Sequence, residues 1–404
     1  MSVAQKKSDP IKRIAQALFV IYVFVLYMFS FQTAFVDFTE YIFLAFAGVV
    51  VVYIAVKKKI LFAKEHYYLL AFCFLSFLTT IWSIDFNTTL TSSISLLLLA
   101  GMSILVYQVF DKQDVNILLK AVFYAGIALV VTTAINAGFV EYMEAILTGK
   151  RLGGAMNAPN TFGVYCSVSF ILGLHLLKKK KVYYGLLLVV IFSGILASGS
   201  RNAFIITAIG SLISIFFAFK NLASSKKALY IIIFLALVLL VYNLGFFDSI
   251  FSRIENLDRP SGADSSEDPS LQSRLFMIKF GFERFFSRPI FGYGINNAQF
   301  LLEDYFARTY LHNNYIELLV DVGLVGFVLY YINHVTLIKQ LMKNRKGSLD
   351  IYEIIFTVFV VLLIADMSIV FYYNKLTYII LTMAMVVSKG SAKETIGESL
   401  DARK

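Results

Sequence analysis

The sequence predicts an all-α protein, a polytopic membrane bundle of about twelve transmembrane helices, and three observations carry that reading. Of 404 residues 59 % are hydrophobic and only 15 % charged, where soluble chains carry about 25 % charged residues. Mean hydropathy is +0.75. Apolar runs of about 20 residues, the length that crosses a bilayer core, recur along the whole chain. Cys73 and Cys166, the only two cysteines, sit inside such runs, so neither a disulfide framework nor a zinc site is expected. Five prolines leave little room for a disordered linker. The chain reads as one integral-membrane domain over 1–404.

The expected spans fall at 14–35, 38–56, 66–84, 92–110, 115–136, 158–177, 182–198, 202–219, 228–247, 313–338, 351–371 and 374–388. The first follows Lys12 and Arg13, is too long for a signal-peptide core and precedes no Ala-x-Ala site, so it is expected to be a retained anchor. Lys and Arg then orient the bundle. The loops on the side shared by both termini hold 25 of the 36, among them Lys57–Lys59, Lys178–Lys181 and Lys343–Lys346 with Arg345. The short loops opposite carry only Lys150, Arg151, Arg201 and Lys375. Short cytoplasmic loops keep positive charge, whereas long loops translocate largely regardless of it. Both termini are therefore expected in the cytoplasm, and the net charge of +10 reports orientation. It does not point to nucleic acid.

One long extracytoplasmic loop is expected at 248–311. It holds Pro260, Pro269 and Pro289 and a polar, acidic tip at 261–270. Leu271, Leu275, Ile278 and Phe282 then recur at helical spacing, which predicts an amphipathic helix at the outer membrane surface. A helix stop and tight turn follow at Arg288-Pro289-Ile290-Phe291-Gly292-Tyr293-Gly294. No internal repeat suggests an inverted-repeat transporter.

Topology separates the four histidines. His66, His175 and His334 are expected at cytoplasmic span ends as interfacial polar residues, whereas His312 begins span ten on the outer side. A neutral imidazole there could accept a proton from a hydroxyl near pH 7; equally, His312 could belong to a helix cap with Asn313. Arg201, in the outer turn Gly199-Ser200-Arg201-Asn202, has no orienting role there. It suits either an anion site at a helix start or snorkelling to lipid phosphates. Arg274, on the outer helix, invites the same two readings, and for Arg151, Arg284 and Arg288 the surface reading is favoured. Glu317 and Asp321, four apart on span ten, and Asp366 on span eleven either line a polar cleft or form internal ion pairs. Asp-x-Asp, a metal cluster, a phosphate-binding Gly-rich loop and Gly-x-Ser-x-Gly are all absent.

His312-Asn313 followed nine residues later by Gly323-Leu324-Val325-Gly326 resembles the signature of the O-antigen ligase and polymerase superfamily. So do Ser198-Gly199-Ser200-Arg201-Asn202-Ala203, and Ser273-Arg274 with the Pro289–Gly294 turn. Asn157-Ala158-Pro159-Asn160, opening span six, is similar to many polymerases. These matches run in the family's order from about residue 150 to 330. Arg288 departs from the pattern, since many relatives have a neutral residue or histidine there. The resemblance implies a metal-independent membrane glycosyltransferase without a cofactor, acting on a glycan carried by undecaprenyl pyrophosphate at the outer face of the bacterial plasma membrane. His312 would orient or deprotonate the acceptor hydroxyl, and Arg201 and Arg274 would hold the pyrophosphate. Arg151, Arg288, Asn313, Glu317 and Asp321 are secondary candidates. A polymerase of O-antigen or capsule repeat units, working with a flippase and a chain-length regulator, is favoured over the ligase that moves finished chains to lipid A core. A twelve-span transporter is disfavoured, because the long loop lies outside after span nine and the second-to-third loop reads KKKILFAKE.

Overall fold

The computed structural model describes residues 9–29, 36–156, 158–177, 182–219, 269–306, 309–345 and 350–389. All regular structure among these residues is helical. The helices are α1 (Pro10–Phe29), α2 (Val36–Lys57), α3 (Lys64–Leu78), α4 (Phe86–Val109), α5 (Val115–Ala137), α6 (Phe139–Thr148), α7 (Pro159–Leu176), α8 (Val182–Ala197) and α9 (Arg201–Phe219). Then come α10 (Pro269–Ser287), α11 (Ala298–Leu301), α12 (Asn314–Asn344), α13 (Ile351–Ala365) and α14 (Lys375–Ser388). By length and composition α1, α2, α4, α5, α9 and α12 can each cross a membrane, and α8, α13 and α14 are shorter apolar helices. The expected ninth span, 228–247, and the acidic tip up to residue 268 lie outside the described residues.

Local chemistry explains the helix starts. Pro10, Pro159 and Pro269 open α1, α7 and α10, where a missing N–H costs nothing and φ is already helical. Asp85, Asn313, Asp350 and Asn374 accept first-turn N–H groups of α4, α12, α13 and α14, partners that lipid cannot supply. Inside the bundle, hydroxyls bond back to their own helices, as Ser76 does to the Phe72 carbonyl and Thr89 to that of Asp85. α7 and α9 approach at Gly163, where a Cβ would meet Ala203. Beside it Thr207 donates to Ser167 at 2.8 Å, and Ser167 donates to the Ala203 carbonyl at 3.0 Å. Small residues with a shared hydroxyl pair are the usual means of joining helices without a hydrophobic driving force.

The bundle has two chemically different ends. At one, Lys12 bridges Asp111 and Asp114 at 2.7 and 2.8 Å, Lys389 pairs with Asp111 at 2.9 Å, and Lys57 pairs with Asp9 at 2.9 Å. Gln340, late in α12, donates to Glu65 at this basic end. The start of α12, with His312 before it, lies at the other.

Several expectations need correcting. Span ten is not one continuous helix: α12 breaks at Gly323 (φ 64, ψ −169), leaving Asn314–Val322 as a short upper piece and Leu324–Asn344 as the long one. His334 therefore lies ten residues inside the helix end, buried against Tyr330 and Phe359 rather than interfacial. His66 is also fully buried, its Nδ1 accepting the Ala63 N–H at 3.0 Å. Span eleven stops at Ala365, because Asp366 turns the chain to meet Asn314 and Tyr331. On α10, Met277, Phe280 and Gly281 face the protein, while Leu275 and Phe282 of the expected stripe are exposed. The helix has two apolar sides, one packed on the protein and one, the expected stripe, left exposed as a helix at a membrane surface requires. Finally, α6, with Phe139, Val140 and Leu147 exposed, is a short amphipathic helix absent from the expected spans.

Candidate functional site

The site is built on the break in α12. Only glycine readily adopts the conformation of Gly323, and a Cβ there would strike the Ile290 carbonyl. A broken helix leaves backbone groups unpaired. Here the Pro289–Gly294 turn takes them: Leu324 N donates to Pro289 O (2.8 Å) and Val325 N to Ile290 O (3.3 Å), while Tyr293 N and Gly294 N donate to the Val320 and Asp321 carbonyls (3.0 and 2.8 Å). Gly292, at φ +65, lacks the Cβ that would collide with Val320 O. The two glycine motifs are thus halves of one joint. Asp321 completes it, both carboxylate oxygens accepting N–H groups from Asn296, Asn297 and Ala298 at 2.8–2.9 Å, with the Tyr372 hydroxyl at 3.2 Å. Its oxygens are committed to architecture. Arg288, at the edge of the joint, stacks on the Tyr293 ring at 4.7 Å.

His312 stands just before the upper piece of α12. Its φ of 54° is left-handed, a strained setting for a residue with a β-carbon. Both flanks are clamped. Leu311 N donates to Glu317 Oε2 at 2.6 Å, and Asn313 Oδ1 accepts from Tyr315 N and Ile316 N at 3.0 and 3.1 Å. Asn314 N donates to Asp366 O at 2.7 Å, and Asn314 Oδ1 accepts from Phe371 N and Tyr372 N at 2.8 and 2.9 Å. The His312 ring lies 4.2 Å from that of Tyr310, and its Nδ1 is buried without a hydrogen bond. Burial first, and then the charge of Arg274, pull this imidazole down to about 4. It is neutral at pH 7 and able to accept a proton. The same arginine charge reaches Tyr310, whose phenol burial nevertheless raises.

A second group forms where α7 and α9 begin. Ser200 caps α9 by accepting Ala203 N at 3.3 Å. Gly199, at φ +54, has no Cβ and so admits the backbone and side chain of Arg151; Leu152 N donates to Ala197 O at 3.0 Å. Asn160 then ties the parts together, its Oδ1 accepting from Arg151 Nη2 at 2.8 Å and from Ser200 Oγ at 3.0 Å. Arg151 and Arg201 thereby sit on neighbouring turns beside two helix N-termini, a setting that favours an anion.

The structure thus brings His312 together with Arg274, and Arg151 together with Arg201. Both groups lie at the same end, with the 366–374 segment between them: Asn314 holds Phe371 and Tyr372, while Tyr165 of α7 donates to Asn374 at 2.9 Å. Tyr165 is five residues beyond Asn160, about 7.5 Å along the helix. Arg288 and Asp321 belong to the joint, Asn313 to the cap, and Glu317 to the clamp on Leu311. Asn160, Asn314 and Tyr310 escaped the reading of the sequence as site residues. For Asn160 a signal existed, an asparagine beside a helix-opening proline; the part played by Asn314 depends on a partner about 50 residues away.

No curated protein matches the chain. Residues 186–331 match a family model described as O-antigen ligase, a stretch that contains Arg201, Arg274, His312 and both halves of the glycine joint. Over that stretch the chain is similar to the O-antigen ligase family.

Proposed function

We propose that this protein is a glycosyltransferase that polymerises oligosaccharide repeat units carried on undecaprenyl pyrophosphate, at the outer face of the bacterial plasma membrane. The observation that carries the reading is the half-buried, neutral His312 with a buried, unengaged Nδ1 beside Arg274, on the same end as Arg151 and Arg201. In the proposed step a hydroxyl oxygen of the acceptor sugar bonds to the anomeric carbon of the donor, and the bond from that carbon to the pyrophosphate oxygen breaks. His312 takes the hydroxyl proton. Arg274 and Arg201 receive the charge that grows on the leaving pyrophosphate. The concentration of lysines at the opposite end supports an outward-facing site.

The family description favours a second reading, transfer of a finished glycan to lipid A core. The surface polysaccharide of a deletion strain separates the two. Lipid A core bearing a single repeat unit is expected; long chains stranded on undecaprenyl pyrophosphate would overturn the polymerase in favour of the ligase.

A further inference from the structure

At the basic end, far from His312, α1 presents Arg13, Gln16, Ala17, Val20 and Ile21 along one face, and together with Ile117 of α5 they line a groove of about 480 Å³. The spacing is that of a single helical stripe. From Arg13 to Ile21 it climbs about 12 Å along α1, so one wall carries a cation at its foot and aliphatic side chains above. Ala17 leaves the hollow. Gln16 is not free, since its Nε2 donates to Val109 O at 2.8 Å. We propose that this groove holds one anionic phospholipid, with an acyl chain against Ala17, Val20, Ile21 and Ile117 and the phosphate on Arg13.

The argument rests on charge. Arg13 makes no ion pair among the described residues, although its neighbour Lys12 makes two. The nearby aspartates are already engaged: Asp9 with Lys57, Asp111 with Lys12 and Lys389, Asp114 with Lys12. The adjoining sequence 1–8 carries Lys6 and Lys7 and no acid, so it offers no counter-charge. Lys120, three residues from Ile117 and hence its neighbour on the surface of α5, adds a second cation nearby. A guanidinium binds a phosphodiester through paired hydrogen bonds. Surrounding lipid is as apolar as the groove, so the apolar wall sets where the chain lies and the arginine sets which headgroup stays. One basic side chain at the headgroup layer corresponds to about a five-fold preference for an anionic lipid.

Native mass spectrometry of the full chain, released from vesicles of equal phosphatidylglycerol and phosphatidylcholine, tests this. Wild type is expected to retain one phosphatidylglycerol about five-fold over phosphatidylcholine. Arg13→Gln should bring the ratio to parity, and Ala17→Phe, which fills the hollow, should lower retention of both lipids. Lys59→Gln, an exposed lysine at the same end but outside the groove, should change nothing. Equal retention by wild type overturns the site. So does a loss in Lys59→Gln as large as in Arg13→Gln, which would mean diffuse attraction. Should Ala17→Phe not fold, the comparison of Arg13→Gln with Lys59→Gln decides alone.

Discussion

His312 is held in a left-handed conformation that costs a residue with a β-carbon about 1–2 kcal/mol, and Glu317, Asn313 and Asn314 hold it there. His312→Ala keeps both the β-carbon and the Asn313 cap, so folding should survive while turnover falls ~100- to 10,000-fold, the usual share of proton transfer. Donor binding should change far less, and His66→Ala and His175→Ala should keep their activity. The pH profile adds a sign. Activity must fall as the imidazole protonates, so the acid limb of kcat/KM should lie near the free-enzyme value of about 4. The limb of kcat should lie higher, because bound pyrophosphate favours the imidazolium. An acid limb that persists unchanged in His312→Ala removes the histidine from the reaction. For the arginines, Arg201→Ala and Arg274→Ala should each cost ~2–4 kcal/mol, roughly 30- to 1000-fold in rate, with lysine rescuing poorly because a fork becomes a point charge. Cations fixed in the protein should make a divalent ion dispensable, so activity is expected to withstand excess EDTA. Inhibition by EDTA that magnesium or manganese reverses would contradict this.

At the scale of the element, the decisive feature is the joint between the broken α12 and the Pro289–Gly294 turn. Gly323→Ala puts a β-carbon into a region of φ/ψ space that is nearly glycine-only, at about 1–3 kcal/mol, and drives it into the Ile290 carbonyl. A lower melting temperature in detergent and loss of activity are expected. Gly101→Ala is the matched control, since a Cβ there meets nothing within 4 Å and alanine favours the helix by about 1 kcal/mol. Equal melting temperatures for the two variants would show that the joint contributes no stability. The same scale shows how far spacing reaches. Repeats of three and four residues found the helices, but α10 has apolar residues on two sides, and only contact with Leu311, Ile316 and Tyr293 shows which side is packed. His334 looked interfacial only while α12 was taken to end near residue 338.

For the whole molecule, the separation of the basic end from the His312 end is a statement about sidedness that can be measured. Cys73 and Cys166 are both buried, so single introduced cysteines report without background. Asp304→Cys, exposed at the His312 end, should react with a membrane-impermeant thiol reagent on intact spheroplasts, and Lys59→Cys only after permeabilisation. The reverse pattern would put the site in the cytoplasm and end the proposal of an outward-facing enzyme.

The sequence by itself determined the class of fold, the helix starts and the residues rich in chemistry, because each is written locally. Hydrophobic run length reports the bilayer, and prolines and short polar side chains report caps. It also presented His312, Arg201 and Arg274 as uncommon polar residues in an apolar chain. Only the tertiary structure decided what those residues touch. That Asp321 holds a loop, that Asn160 reaches Ser200, and that Gly292 and Gly323 belong to one joint depend on pairs 23 to 40 residues apart. A broken helix in an apolar environment must find such distant partners for its backbone, and the residue pattern along a single helix cannot say which segment supplies them.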